Sequence, residues 1–265
     1  MIDLPIERSV PENFNPKLLV LFGKPKSGKS SLVASIDENL IIDLEDGYRA
    51  LSVMKVQARS VRDLLDIRQA IVDKGKELGK APYKYITIDN ASRLEEMVLP
   101  YAAELYRKTP MGATWGLLLK NGVPQKTKEG QFIADPKADV RTLPNGAGYL
   151  YFREAIRNAL KWFMPPICET LILVCHTKDK QIRVNGEEMS EMSVDLAGKT
   201  ADIICGEADA VGYIYRDSNK TYLSFEGGDN TIREARPLHL RGKKFLVAES
   251  DAENNVKFDS SKLFI

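Results

Sequence analysis

Lys17-Leu18-Leu19-Val20-Leu21-Phe22, followed by Gly23-Lys24-Pro25-Lys26-Ser27-Gly28-Lys29-Ser30 and then Ser31-Leu32-Val33-Ala34-Ser35-Ile36, is the stretch whose reading decides the fold. The first run is apolar without alternation, as in a strand buried on both faces of a parallel sheet. The last run begins a helix with an apolar face. Between them lies G-x-x-x-x-G-K-[ST], a loop built to hold phosphate. Its glycines permit backbone conformations in which successive N–H groups converge on phosphate oxygens. The helix that starts there adds the positive end of its dipole. Lys29 reaches the β and γ phosphates, and the Ser30 hydroxyl ligates Mg²⁺. The expected nucleotide-binding residues are Gly23, Lys24, Pro25, Lys26, Ser27, Gly28, Lys29, Ser30 and Ser31, and the expected ligands are ATP and Mg²⁺.

Working outward, Leu40-Ile41-Ile42-Asp43-Leu44, Tyr85-Ile86-Thr87-Ile88-Asp89 and Thr170-Leu171-Ile172-Leu173-Val174-Cys175-His176 read as further buried strands. Helical spacing of apolar residues covers 60–78, 91–107 and 149–163, and a short helix is expected near 199–206. Gln181–Val184 turns at Asn185-Gly186, a hairpin signal. Later β segments are expected at 210–215, 222–225 and 235–240. Strands alternating with helices make an α/β fold, a mainly parallel twisted sheet with helices on both faces. The hairpins add an antiparallel extension at one edge. Residues 1–16 read as an N-terminal arm, 17–245 as the nucleotide-binding domain and 246–265 as a C-terminal tail. Residues 108–145, rich in Gly and Pro and without periodicity, read as a long mobile insertion.

Composition narrows the function classes. Of 265 residues, 43% are hydrophobic, enough for a sizeable core. Lys plus Arg (38) nearly balances Asp plus Glu (37), so any nucleic-acid site must be a local patch. Cys168, Cys175 and Cys205 form neither a disulfide framework nor a zinc motif. No apolar stretch approaches membrane-spanning length. A cytoplasmic protein without membrane contact is expected.

Two acidic positions complete the chemistry. Asp89 ends a buried strand, where an aspartate orders the water shell of the magnesium ion. A helix-capping role beside Asn90 and Ser92 is the plainer alternative. Ile42-Asp43-Leu44-Glu45-Asp46-Gly47 leaves the second strand near the γ-phosphate and offers a carboxylate to polarise water. Asp43 and Glu45 share a strand face. Glu45 is preferred as the base and Asp43 is the rival; three acids in a solvated turn is the plain reading.

This arrangement resembles the RecA family, whose pattern at this point is an apolar strand and I-D-x-E. It is most similar to the small RecA-like P-loop ATPases of bacteriophages that are encoded with single-strand annealing and recombination genes. The motifs that carry the likeness are Gly23–Ser30, Ile42–Gly47, Ile86–Asp89, Leu171–His176, Leu196–Lys199 and Asp209–Val211. The resemblance implies a RecA-like ATPase core and assigns the catalytic glutamate to Glu45. It also implies a γ-phosphate sensor at His176, a position where a structural histidine is equally expected.

The resemblance further implies single-stranded DNA as partner, bound by loops after the third and fourth strands. Basic candidates there are Lys120, Lys126, Lys128, Lys137 and Arg141, then Lys178, Lys180 and Arg183, with Trp115, Phe132 and Tyr149 as aromatic companions. Interspersed acids make a solvated mixed-charge loop the plain alternative. A homo-oligomer is implied, with Arg233 or Arg236 as a finger acting in trans and Lys178 and Lys180 as the rival pair. A single-strand annealing or single-strand-binding protein is an implied partner. Two other classes stay open: a nucleotide-switch or packaging accessory protein, and a nucleotide kinase, for which no arginine-rich lid is visible.

Overall fold

The computed structural model describes residues 4, 6–8, 10–184, 187–228, 231–251, 253 and 255–265, without the side chains of 182–184 and 187–189. In chain order its elements are β1 (Leu18–Gly23), α1 (Lys29–Ala34), β2 (Asn39–Asp43), β3 (Met54–Gln57), α2 (Val61–Leu78), β4 (Tyr85–Asp89), α3 (Ala91–Met97) and α4 (Leu99–Arg107). There follow β5 (Leu119–Lys120), β6 (Val123–Pro124), α5 (Gly148–Lys161), β7 (Thr170–Val184), β8 (Glu187–Val194), α6 (Thr200–Glu207), β9 (Ala210–Asp217), β10 (Lys220–Ser224), β11 (Glu234–Ala235), β12 (Lys244–Ser250) and β13 (Val256–Phe258).

β1, β2 and β4 are buried at every residue, which is why their sequences show no alternation. Successive residues nonetheless serve opposite faces. Leu19 and Leu21 pack with Leu32, Val33 and Tyr48 on the α1 side. Leu18, Val20 and Phe22 pack with Leu64, Leu94, Phe152 and Ile156 on the side of α2, α3 and α5.

The main sheet runs β3-β2-β4-β7-β1-β9-β10-β12-β13. The pairs from β3 to β9 are parallel. From β9 onward they are antiparallel. The result is an α/β fold, a mainly parallel sheet flanked by helices with an antiparallel extension at one edge. One consequence matters for the site: β7 lies between β1 and β4, so the strand carrying His176 separates the phosphate loop from Asp89.

Local signals explain the element ends. Ser60 caps α2 by accepting from the Asp63 amide, while the Asp63 carboxylate accepts from the Ser60 amide. Gly79, at φ 67°, ends the helix in the left-handed region that glycine favours. The segment expected as one helix over 91–107 is two, parted at Val98, with Pro100 in the first turn of the second.

Other expectations need correction. β3 gives no apolar run because it is a short, largely exposed edge strand. The strand expected to end at His176 continues unbroken to Val184, so one long strand forms both the sheet core and the first arm of the hairpin with β8. The turn residues Asn185 and Gly186 lie outside the described residues. Of the β segment expected at 235–240 only Ala235 is in a strand. The boundary expected at 246 falls inside β12. The described residues of 246–265 pack onto the domain rather than trailing from it: Leu263 is buried and Phe264 stacks on Tyr85 with ring centroids 4.1 Å apart.

The insertion 108–145 is likewise organised. β5 and β6 form a hairpin, the Leu118 amide donates to Ile133, and Gln125 donates back to Leu118. Its ends are anchored by the Trp115 ring, 5.4 Å edge-on from Tyr106, and by fully buried Val140. The Val140 carbonyl lies so close to Gly148 that a Cβ there would come within 1.6 Å of its oxygen, so α5 must open on a glycine.

Candidate functional site

The register of the parallel strands sets the site. Gly23 stands opposite His176, Asp89 opposite Val174, and Asp43 opposite Asp89. Residues far apart in the chain thereby line up along the carboxyl edge of the sheet, where open α/β sheets bind ligands. A cleft of about 250 Å³ opens there, lined by Lys26, Lys29, Ser30, Glu45, Asp89 and His176 among others.

The loop Gly23–Ser30 leaves β1 and turns into α1 through Gly28, at φ 103°. No side chain caps the helix, so its first amides face the cleft without intrahelical acceptors. Gly23 cannot carry a side chain: a Cβ would lie 2.5 Å from the Ile214 carbonyl oxygen. At Gly28 a Cβ would meet the Phe258 ring at 2.7 Å. The C-terminal β13 therefore buttresses the loop. The Lys29 ammonium donates to the carbonyls of Gly23 at 2.8 Å and Lys24 at 2.9 Å, across the loop's mouth. Burial holds its pKa below the usual lysine value, and the negative charges of Asp89 and Glu45 oppose that shift.

Three acids of the sequence take different parts. Asp43 is buried, and its Oδ1 accepts from the amides of Glu45 at 3.1 Å and Gly47 at 3.2 Å. It builds the turn. Asp46, at φ 61°, accepts from Arg49 Nε at 2.7 Å. Glu45 is exposed at the cleft, and among the described residues no hydrogen bond or ion pair engages its carboxylate. Of the two rivals for activating water, Asp43 has Oδ1 held by backbone amides and Oδ2 buried 3.7 Å from the Lys55 ammonium, whereas the Glu45 carboxylate is exposed and free among the described residues.

Asp89 is not a helix cap. That part belongs to Asn90, whose Oδ1 accepts from the Arg93 amide at 3.0 Å. Asp89 Oδ2 instead accepts from Ser30 Oγ at 3.0 Å and from the hydroxyl of buried Tyr48. Burial raises the carboxyl's pKa; the hydrogen bonds from Tyr48 and Ser30 oppose the shift. The Tyr48 hydroxyl is pushed far up, first by burial and then by the charge of Asp89, so it stays a donor.

His176 lines the cleft with Nε2 3.3 Å from Asn90 Nδ2. Because Asn90 spends its oxygen on Arg93, its NH₂ faces the ring. Nε2 is then the acceptor and Nδ1 carries the proton. Nδ1 is buried and finds no partner among the described residues.

Two site residues escaped the sequence reading. Tyr48 gave no signal beyond following the acidic turn. Arg216 lines the cleft from the carboxyl end of β9, which flanks β1, and has no partner among the described residues. Its place at that strand end was the available clue.

The donor set suits magnesium and a nucleotide. Among the described residues no group of three or more His, Cys, Asp or Glu side chains gathers into a metal cage. Mg²⁺ needs none, because it is held by one or two hard oxygen groups together with phosphates and water. Ser30 Oγ and the Asp89 carboxylate supply such a pair, next to an ammonium and helix amides suited to phosphate.

Comparison with known proteins supplies the family. A family model described as an AAA domain matches residues 15–236, most of the chain. The chain belongs to this AAA domain family. One solved structure similar to it is described as the crystal structure of the RadB recombinase, 11% identical over 93% of each chain with a TM-score of 0.44. No curated protein matches it. Among the described residues of this AAA domain, no helix is long and apolar enough to cross a membrane.

The remaining expected residues of the AAA domain lie apart from the cleft. Lys120, Lys126 and Lys128 are exposed on or beside the β5–β6 hairpin, with the Lys126 ammonium 4.6 Å from the Phe132 ring centroid. Lys178 donates to the Leu196 carbonyl, and Lys180 pairs with Asp202 at 2.8 Å. The backbone of Arg183 pairs with Glu188, and its side chain lies outside the described part. Arg233 lies over the Tyr213 ring, 5.9 Å from its centroid. Arg236 is held by Asp209 at 3.1 Å and by the Gly206 carbonyl at 2.9 Å. The Asp209 amide donates to Leu18, so Arg236 sits at the amino end of β1, opposite the phosphate loop.

Proposed function

We propose that this AAA domain binds ATP with Mg²⁺, hydrolyses it, and couples hydrolysis to single-stranded DNA. The supporting observation is the row on the carboxyl edge of the sheet: the phosphate loop, the Ser30–Asp89 pair and the free carboxylate of Glu45 border one cleft. Bound Mg²⁺ would neutralise charge on the phosphates. The chain's own groups do the rest. Lys29 exchanges its loop carbonyls for β and γ oxygens, and Glu45 accepts a proton from the attacking water. His176, at the cleft and joined through Nε2 to Asn90, passes loss of the γ-phosphate through Asn90 to α3.

DNA binding is placed on the exposed hairpin lysines rather than on Lys178 and Lys180, which are already paired. An oligomer belongs to the same reading, with Arg233 as the side chain offered to a neighbouring copy; Arg236 is spent on Asp209. ATP turnover measured alone, with single-stranded DNA, and with nucleosides as acceptors tests the proposal. Phosphate release that rises with DNA and with protein concentration is expected. Transfer of phosphate to a nucleoside, or nucleotide binding without turnover, would overturn it.

A further inference from the structure

Tyr48 lies in the apolar layer beneath α1, and only 1% of it is exposed. A phenol placed there needs a partner, and its hydroxyl donates to Asp89 Oδ2, the oxygen that also accepts from Ser30. The same aspartate is gripped from a second side, because its backbone carbonyl accepts from the Leu44 amide at 2.8 Å. Leu44 and Tyr48 flank the turn that carries Glu45. Asp43 closes that turn from within by accepting from the Glu45 and Gly47 amides. The turn is thus clamped at both ends to one residue, Asp89, and that residue is the carboxylate beside the magnesium-binding hydroxyl.

We infer that Tyr48 is a positioning residue: it fixes the Asp89 carboxylate for the metal and makes the Glu45 turn respond to the metal site. The inference rests on the magnesium-dependent nucleotide reading above. Without the hydroxyl, Asp89 Oδ2 keeps only Ser30 as donor and its carboxylate is free to rotate. The turn then keeps only the Leu44 bond to Asp89. Partners of this kind, which orient a group beside a metal, commonly change metal affinity 10- to 100-fold, and the same order is expected here. The ring itself packs among Leu21, Leu32 and Ile172, so Tyr48→Phe retains the apolar contacts.

The test compares wild type with Tyr48→Phe by binding of a fluorescent ATP analogue, titrated with Mg²⁺ and repeated in chelator. Tyr48→Phe should raise the magnesium concentration for half-saturation about tenfold while leaving binding in chelator unchanged. Hydrogen exchange supplies a readout that does not depend on turnover. In wild type, Mg²⁺ with ADP should slow exchange at the Leu44, Glu45 and Gly47 amides; in Tyr48→Phe that protection should be lost. Asp89→Asn should show the same loss, and Tyr48→Phe should add little to it, because both act through one bond. A wild type that depends on magnesium beside a Tyr48→Phe protein with the same half-saturation and the same protection overturns the role of Tyr48 alone. A wild type indifferent to magnesium overturns the metal site and this role with it. A Tyr48→Phe protein with a lowered melting temperature and weakened binding in chelator as well would assign Tyr48 to structure, against the inference.

Discussion

Glu45 and Asp43 lie two residues apart on one strand end, and the structure predicts opposite consequences for their removal. Glu45→Gln alters an exposed side chain that no described residue engages. Its effect on stability should stay within ~0.5 kcal/mol, as for surface positions generally. Its effect on chemistry should be large, because an amide cannot take the proton. Loss of a general base lowers a rate by about 10²- to 10⁴-fold, or ~3–5 kcal/mol of barrier. Asp43→Ala deletes a buried carboxylate that accepts from two backbone amides at 3.1 and 3.2 Å and faces Lys55 at 3.7 Å. Hydrogen bonds to a charged acceptor contribute ~1.5–3 kcal/mol each. The freed amides at the turn regain water, so a net loss of about 2–4 kcal/mol is expected. For a chain of this size that lowers the melting temperature by roughly 5–12 °C. The assay pairs single-turnover ATP hydrolysis with binding of a fluorescent analogue and thermal melts. Glu45→Gln should bind ATP and melt like wild type yet turn over slowly; Asp43→Ala should melt early. If Glu45→Gln hydrolyses within threefold of wild type while Asp43→Asn binds normally and stalls, the base is Asp43 and the reasoning from side-chain commitment fails.

Other expectations follow from single contacts. Lys29→Ala should abolish turnover, at a cost of ~3–4 kcal/mol in barrier, and wild-type phosphate release from this variant would refute the phosphate-loop assignment. Glu95, which accepts from the Ala197 amide at 2.9 and 3.1 Å, has its carboxyl raised by burial from 4.5 to about 7. A raised folded pKa means its contribution is fully present below pH 4.5 and lost as pH rises through 7. Glu95→Gln should therefore gain stability relative to wild type across that window, on the order of 3 kcal/mol, and level off above it. A difference in melting temperature that does not change with pH would contradict this. Replacing Lys120, Lys126 and Lys128 together by Ala should weaken single-stranded DNA binding and flatten its salt dependence without changing ATP turnover in the absence of DNA. Unchanged anisotropy titrations would remove the hairpin from the DNA site.

Much of the fold was legible because its central strands are buried on both faces. An apolar run such as Leu18–Phe22 or Tyr85–Asp89 has few other uses, and the glycine loop between strand and helix leaves little freedom. The strand–loop–helix context of Gly23–Ser30 and the strand ending at Asp89 were legible from local pattern for the same reason. The elements that the sequence hid are those whose stability comes from elsewhere. β3 is an exposed edge strand, β11 spans Glu234–Ala235, and β12 and β13 are held by antiparallel partners rather than by their own periodicity. The insertion 108–145 looked structureless because its hairpin is fixed by cross-strand bonds and by the anchors Trp115 and Val140, neither of which leaves a periodic trace.

Within the site the division is sharper. Local sequence could say that Asp43, Glu45 and Asp46 stand together at a strand end; it could not say which one was free. That depends on the turn's own amides and Arg49, and on Lys55, which the pairing of β3 with β2 brings beside Asp43. Tyr48 meets Asp89, and His176 meets Asn90, across 41 and 86 residues of chain. Arg236, by contrast, was folded away to the amino edge beside Asp209. Sequence alone determined the loop Gly23–Ser30 and its place between a strand and a helix, because that pattern is built from consecutive residues. That the Asp89 carboxylate is held by Ser30 and Tyr48 was decided by the tertiary structure, because a side chain's availability is set by the partners that folding brings to it.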